Sequence, residues 1–505
     1  MWYEPERGNA SKETEVVNDL RLEKGKLAAL KAFEDMRITQ PDVLRTTAAY
    51  QALDTLALAL RPDVRRDMYQ KSSISSKIVT FWSHSWHGSY WNKMLTLLVI
   101  YNGRAAFVFG FLTALAPMIP FILGLLPGLP RNEKLERSSF WSLTCGSAAV
   151  LITFTMWRSR HRVFLDRICI NQADPEMKTQ SIKSLAGLLR KSDAMLVLWD
   201  HTWSERLWCL FELAAFVRSK SRSEQKLVLQ PTFIGPACLA TFVTAFAIAA
   251  PITFLPSWNR NRIAIVYGAL ILLGSVAGYV AILTLRKYFR SIGMLAKKLS
   301  SISFESTQCY CCDMDHKLDG KTILCDREVV QACVVAWFGS QMAFEACIKT
   351  ELLETVMFDL QHGALTKRGT LAVTMPILWA FLDSFASFAA IQHWPRATSR
   401  LMDGFTFWLL LGPMLMDCLV LLSRRFHHEG SSFWREALLN LNVLLIVWLL
   451  QAFVVGPYIF FLRLEFQHEF ISSAMFAGFM VLVNSIFYAV EARSRSNRQE
   501  VASAI

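Results

Sequence analysis

The sequence predicts a multi-pass α-helical membrane protein, with about eight spans in hairpins, carrying an α/β parallel-sheet domain that membrane hairpins interrupt. Three observations predict it. Of 505 residues, 53% are hydrophobic and only 19% charged, and the mean hydropathy is +0.30, too apolar for a soluble chain of this size. Apolar runs of about the length that hydrocarbon requires lie near 105–129, 140–157, 233–255, 263–285, 370–390, 405–422, 438–461 and 470–490, paired across short turns. Between the runs, Arg162 to Lys220 reads strand, helix, strand, helix with short connections, the pattern of a parallel sheet covered by helices.

Taken in order, residues 1–74 read as a cytosolic helical arm, in which Leu27, Leu30 and Phe33 mark a weak face. Pro41 then opens a second helix with Leu53, Leu56 and Leu60 at helical spacing. Residues 75–104 hold a strand, Ile78 to Ser85, that ends in polar residues, followed by helical spacing from Gly88 to Tyr101. The first hairpin covers 105–157, and Pro117 and Pro120 predict a kink in its first span. Residues 158–231 are the sheet core: strands at Val163–Asp166, Ala194–Trp199 and Lys226–Pro231, with a helix whose Ile182, Leu185, Leu188 and Leu189 share a face. A second hairpin follows at 232–285. Residues 286–368 are polar and contain cysteines, and they are expected to complete the sheet. Residues 369–490 form a four-span bundle, and 491–505 a basic tail.

Lysine and arginine concentrate in one set of loops, at Arg158, Arg160 and Arg162, at Arg286, Lys287 and Arg290, and at Arg424 and Arg425. The opposite turns hold fewer. The positive-inside rule therefore places both termini and the sheet core in the cytosol, with the lipid bilayer as the principal partner. The formal net charge of +12 is assigned to these juxtamembrane residues; no basic patch interleaved with aromatics points to nucleic acid.

The central unit resembles a TIR-type (Toll/interleukin-1 receptor-like) domain. Its FLDRICINQAD stretch is also similar to the WIDxICINQ signature of fungal heterokaryon-incompatibility domains. The residues that carry this are Asp166 at a strand end, Ile168-Cys169-Ile170-Asn171-Gln172, Ser192-Asp193 before a strand, and Trp208-Cys209 with Glu212-Leu213. The resemblance implies a flavodoxin-type sheet, self-association of the domain and, in the enzymatic members, cleavage of NAD by a glutamate at the position of Glu212. NAD enters as a substrate on this resemblance; no cofactor is assigned. In that reading Glu212 is the catalytic carboxylate, Trp208, Ser83, His84, Asp166 and Arg167 line a pocket, and Asn171 and Gln172 belong to its gating loop. Trp208 and Glu212 are four apart and so share a helix face, and a carboxylate stabilises the oxocarbenium-like centre left as nicotinamide departs. The helix is also apolar nearly all round, which suits a packing role, and no Gly-rich phosphate loop is present. Two other readings stand beside the enzymatic one: a non-enzymatic membrane scaffold or assembly module, and a transporter or channel with a regulatory sheet domain.

Two further groups carry chemistry. In CYCCDMDHKLDGKTILC, Cys309, Cys312, His316 and Cys325 have the ligand types of a structural zinc, with Cys311 left over. The competing reading is a strand end and turn with thiols kept free in a reducing compartment. Asp383 and Asp417 lie inside apolar spans, where a carboxylate marks either a proton or cation path or hydrogen-bonded glue between helices. The absence of an inverted repeat or filter motif favours glue.

Overall fold

The computed structural model describes residues 31, 33, 35–61, 67–132, 135–221, 224, 226–254, 260–300, 307–318, 321–322, 325–348, 366–428, 430, 432–463 and 469–503. Leu27 and Leu30 of the expected arm fall outside them. The chain divides into two compact units. One comprises Met1–Leu97, Arg158–Ile234 and Ile292–Ala364; the other comprises Leu98–Trp157, Gly235–Ser291 and Leu365–Ile505.

The first unit is built on a mixed six-stranded sheet. Its strands are β1 (Arg45–Ala48), β2 (Ser73–Ile74), β3 (Ile78–His84), β4 (Arg162–Phe164), β5 (Ser192–Trp199) and β6 (Lys226–Pro231), in the order β2-β1-β4-β3-β5-β6. The four strands read from the sequence run parallel: β3 pairs with β4 through Thr80↔Val163 and with β5 through Thr80↔Ala194, and β5 pairs with β6 through Leu196↔Val228. β3 is buried at every position but Val79, as a central strand covered on both faces must be. On it Phe81 stacks on Phe164 at 4.9 Å, a contact worth about 1 kcal/mol beyond burial.

The remaining two strands come from the N-terminal arm, which was expected to be helical. β1 pairs antiparallel with β4 through Thr47↔Val163, and β2 pairs antiparallel with β1. The helical stretch after Pro41 is interrupted because Thr47 and Ala48 sit where the edge of β4 offers ladder partners, and Arg162 reaches Thr46 Oγ1 at 3.0 Å. Helix α1 (Ala49–Ala57) follows. The 286–368 segment, expected to complete the sheet, supplies no strand to it among the described residues. It gives a separate ribbon of Lys317–Leu318 with Lys321–Thr322, and a helix, Asp326–Phe338.

Helix α2 (Tyr90–Leu115) leaves β3 and runs without a break into the first apolar stretch, so the expected division at residue 104/105 falls inside one helix. The helix expected to carry Ile182, Leu185, Leu188 and Leu189 is split at Ser184 into Pro175–Lys183 and Leu185–Arg190. At Gly187 a Cβ would lie 2.7 Å from the Arg37 carbonyl carbon, so only glycine permits that close approach. Helix α3 (Leu207–Ser219) buries Leu207, Leu210, Phe211, Leu213 and Phe216, and α4 (Asp326–Phe338) packs on it through Trp337 and Phe211, 5.5 Å apart.

Among its described residues the second unit is helical apart from short connections and one ribbon, Leu129–Asn132 with Leu135–Ser138. Among the described residues, six helices are long and apolar enough to cross a bilayer: Tyr90–Ile122, Ile234–Phe254, Ile271–Met294, Trp394–Arg425, Phe433–Gly456 and Phe470–Val490. Eight spans were expected. The stretch at 140–157 forms a helix of 16 residues, about 24 Å long and short of the roughly 30 Å hydrocarbon core. The stretch at 370–390 is bent by 51° between Lys367–Val373 and Met375–Ala390. Along Phe433–Arg463, Trp434, Leu438, Leu441, Leu445, Leu449 and Phe453 form an exposed stripe at helical spacing, while Val443, Val454 and Tyr458 are buried. An apolar stripe of that length suits lipid, and the buried face packs with Leu411, Met414, Phe476 and Met480. A second core gathers around Trp379, with Ala114, Leu143 and Phe242.

Candidate active site

Polar residues collect where the parallel strands end: Ser83 to Trp86 at β3, Asp166 and Arg167 beyond β4, and Asp200 beyond β5. In the order β4-β3-β5-β6 the chain leaves β3 to one side and returns on the other. Sheets of this order bind ligands at such a reversal, here the carboxyl end of β3.

Glu212 reaches this end from α3. Its Oε2 accepts a hydrogen bond from Ser83 Oγ at 2.6 Å, and Ser83 Oγ accepts one from the indole N–H of buried Trp203 at 3.0 Å. An indole can only donate, so the direction of the chain is set from Trp203 through Ser83 to Glu212. Glu212 keeps part of its surface accessible, yet its carboxyl is desolvated. Burial pushes its pKa from 4.5 up to about 8, the Ser83 hydrogen bond opposes this, and the charge of Asp166 adds to it. The acid is therefore mostly neutral at pH 7.

His84 is buried, and its Nε2 has no hydrogen-bond partner. Burial first, then the charges of Lys93 and Arg167, push its pKa down to about 3, which keeps the imidazole neutral. Its ring meets Trp86 at 4.5 Å. Trp86 in turn donates to Asp166 Oδ2 at 3.2 Å and lies 4.5 Å beneath the Arg167 guanidinium. Burial raises the pKa of Asp166, against the Arg167 backbone N–H that donates to its other oxygen at 2.7 Å. Behind this layer, buried Lys93 donates to the Ser85 carbonyl at 2.7 Å, and Thr202 donates to Ser85 Oγ at 2.7 Å. Asp200 Oδ2 is buried without a partner. A Cβ at Gly88 would meet that oxygen at 1.7 Å.

Of the residues named from the sequence, Ser83, His84, Asp166, Arg167 and Glu212 come together here. Trp208 is engaged elsewhere: its indole N–H donates to Asp326 Oδ2 at 3.1 Å, and its ring meets Phe211 edge-on at 5.4 Å. Asn171 spends its side chain on a local turn, accepting from Ala173 and Asp174 N–H at 3.0 and 3.1 Å. Exposed Gln172 donates to the Ile170 carbonyl at 3.3 Å. Trp203, Lys93 and Asp200 were not singled out. Lys93 left a signal, a lone cation at the head of an apolar run; Trp203 left none, because only the fold brings it to Ser83.

In the cysteine segment, Cys311, Cys312, His316 and Cys325 hold their ligand atoms within 4.8 Å of one another. The expected set had Cys309 in place of Cys311. The turn Tyr310–Asp313 is helical and carries Cys311 to the others, while Cys309 Sγ lies 3.1 Å from Cys311 Sγ.

The two carboxylates expected inside apolar spans, Asp383 and Asp417, are engaged by protein groups. Asp383 accepts from Ser139 Oγ at 2.6 Å and from the Ser142 and Leu143 N–H groups at 2.9 and 3.0 Å, so it caps the Trp141–Met156 helix from a neighbouring one. Asp417 accepts from the Tyr488 hydroxyl at 3.0 Å. Two groups were missed. Asp403 accepts from Tyr458 at 2.6 Å. Fully buried Arg286 is paired with both oxygens of Glu436 at 2.9 and 3.3 Å. Compared with protein-family models, with curated proteins and with solved structures, the chain finds no match.

Proposed function

We propose that this chain is a membrane-anchored signalling protein whose cytosolic sheet domain, TIR-like in sequence, cleaves NAD at the nicotinamide–ribose bond through Glu212. The observation that carries the reading is the Ser83–Glu212 hydrogen bond at the carboxyl end of β3, the place where sheets of this order bind ligands. The nicotinamide ribosyl group is cationic, and its arrival beside a desolvated carboxyl favours the ionised form of Glu212. The carboxylate then stabilises the ribosyl cation as the C–N bond breaks and its electron pair leaves with neutral nicotinamide. Water adds to the ribosyl carbon and releases one proton. Ser83 holds the carboxylate in register. Self-association of the domain provides the signalling state.

The test is nicotinamide release from NAD by the full chain in detergent, measured dispersed and clustered on a bilayer, for wild type and Glu212→Ala. Turnover by wild type and its loss in the variant support the reading. Wild type that is inert in both states overturns it and leaves an assembly module.

A further inference from the structure

We propose that Cys311, Cys312, His316 and Cys325 bind one zinc-class divalent ion, which locks the cysteine segment onto the start of the helix that carries Glu212. Three thiols and an imidazole are the donor set of a closed structural zinc site. The four ligand atoms lie within 4.8 Å of one another, and Cys312 Sγ stands 3.8 Å from Cys325 Sγ. A tetrahedral ion with metal–sulfur bonds of about 2.3 Å separates its sulfurs by about that distance.

Independent observations point to a ligand. His316 Nε2 is buried and has no hydrogen-bond partner, which is a cost unless something else binds it. Asp315 and His316 both adopt left-handed backbone, with φ of 48° and 55°. Two successive non-glycine residues in that region are unusual, and they sit at the turn that brings this imidazole to the thiols. Cys311 Sγ accepts the Asp326 N–H at 3.2 Å, and Cys325 is the N-cap of the 13-residue helix α4. Backbone donors to the sulfurs are the outer support that metal sites use.

The consequence is mechanical. Gln308 N–H donates to the Glu205 carbonyl at 2.7 Å, and Leu207 N–H donates to the Gln308 carbonyl at 3.3 Å. Asp326, next to ligand Cys325, accepts from Trp208. The ion thus fastens both ends of a short loop that grips the first turn of α3.

The test is elemental analysis of the full chain purified in detergent, with amide hydrogen exchange across 205–216. Wild type and Cys309→Ser are expected to carry about one zinc per chain, and Cys312→Ser with Cys325→Ser about a tenth of that or less. Because that variant can lose metal by misfolding, wild type stripped by a chelator is titrated with Co²⁺. Thiolate-to-cobalt charge transfer with tetrahedral ligand-field bands, and restored exchange protection over 205–216, support the site. A metal-free wild type that gives no such bands overturns it. So does metal retained after Cys312→Ser with Cys325→Ser but lost after Cys309→Ser, which would move the ion to Cys309, Cys311 and Asp326.

Discussion

Glu212→Gln separates the protonation of this carboxyl from its shape. The rise from 4.5 to about 8 corresponds to about 5 kcal/mol between the two protonation states. Part of the Glu212 surface remains in water, so hydration of the ionised form reduces the observable effect to about 2–3 kcal/mol. The folded chain holds this proton more tightly than the unfolded chain does. The resulting stability is complete below pH 4.5 and is lost as the pH rises through 8. Glutamine keeps the volume, accepts from Ser83 and cannot ionise. Amide exchange of the β3 and β5 strands in detergent, followed from about pH 5 to 9 and corrected for intrinsic rates, should show wild type losing about 2–3 kcal/mol relative to Glu212→Gln. Parallel pH dependence in the two proteins, or a Glu212 carboxyl titrating near 4.5, would refute the reasoning. Under the proposed activity, the same ionisation makes kcat/KM rise with pH toward a plateau above about 8.

Three other substitutions follow from the same structure. Ser83→Ala strands the Trp203 N–H and removes the hydrogen bond that holds the Glu212 pKa down; it should cost about 1–3 kcal/mol in unfolding and move the Glu212 titration to higher pH. Arg286→Ala should destabilise the helical unit by about 3–5 kcal/mol, read as loss of monodisperse protein on heating in detergent. Arg286→Lys should fail to rescue it, since one ammonium cannot span both Glu436 oxygens and the Phe426 carbonyl. Asp383→Ala leaves two helix N–H groups and a buried serine without their acceptor and should cost about 3 kcal/mol, with Asp383→Asn milder because its amide oxygen still accepts.

Val163–Asp166, Ala194–Trp199 and Lys226–Pro231 were legible as strands because each is a short apolar run bounded by polar residues. β1 was not, because four residues carry too little periodicity and their extended form depends on pairing with β4, more than a hundred residues away in sequence. Ser83 and Glu212 were found by motif and strand-end position. Trp203, which orients the pair, was not, because a loop tryptophan looks the same whether it packs or donates.

The sequence by itself determined the membrane class, the apolar runs and the parallel core, since these depend on hydropathy and on local alternation. Only the tertiary structure decided which polar groups meet: Cys311 in place of Cys309 beside His316, Asp383 on the end of another helix, Arg286 on Glu436, and Trp208 on Asp326. Burial makes each of those pairings matter, because a polar group removed from water must find its partner in the fold, and that partner is set by three-dimensional position and not by spacing along the chain.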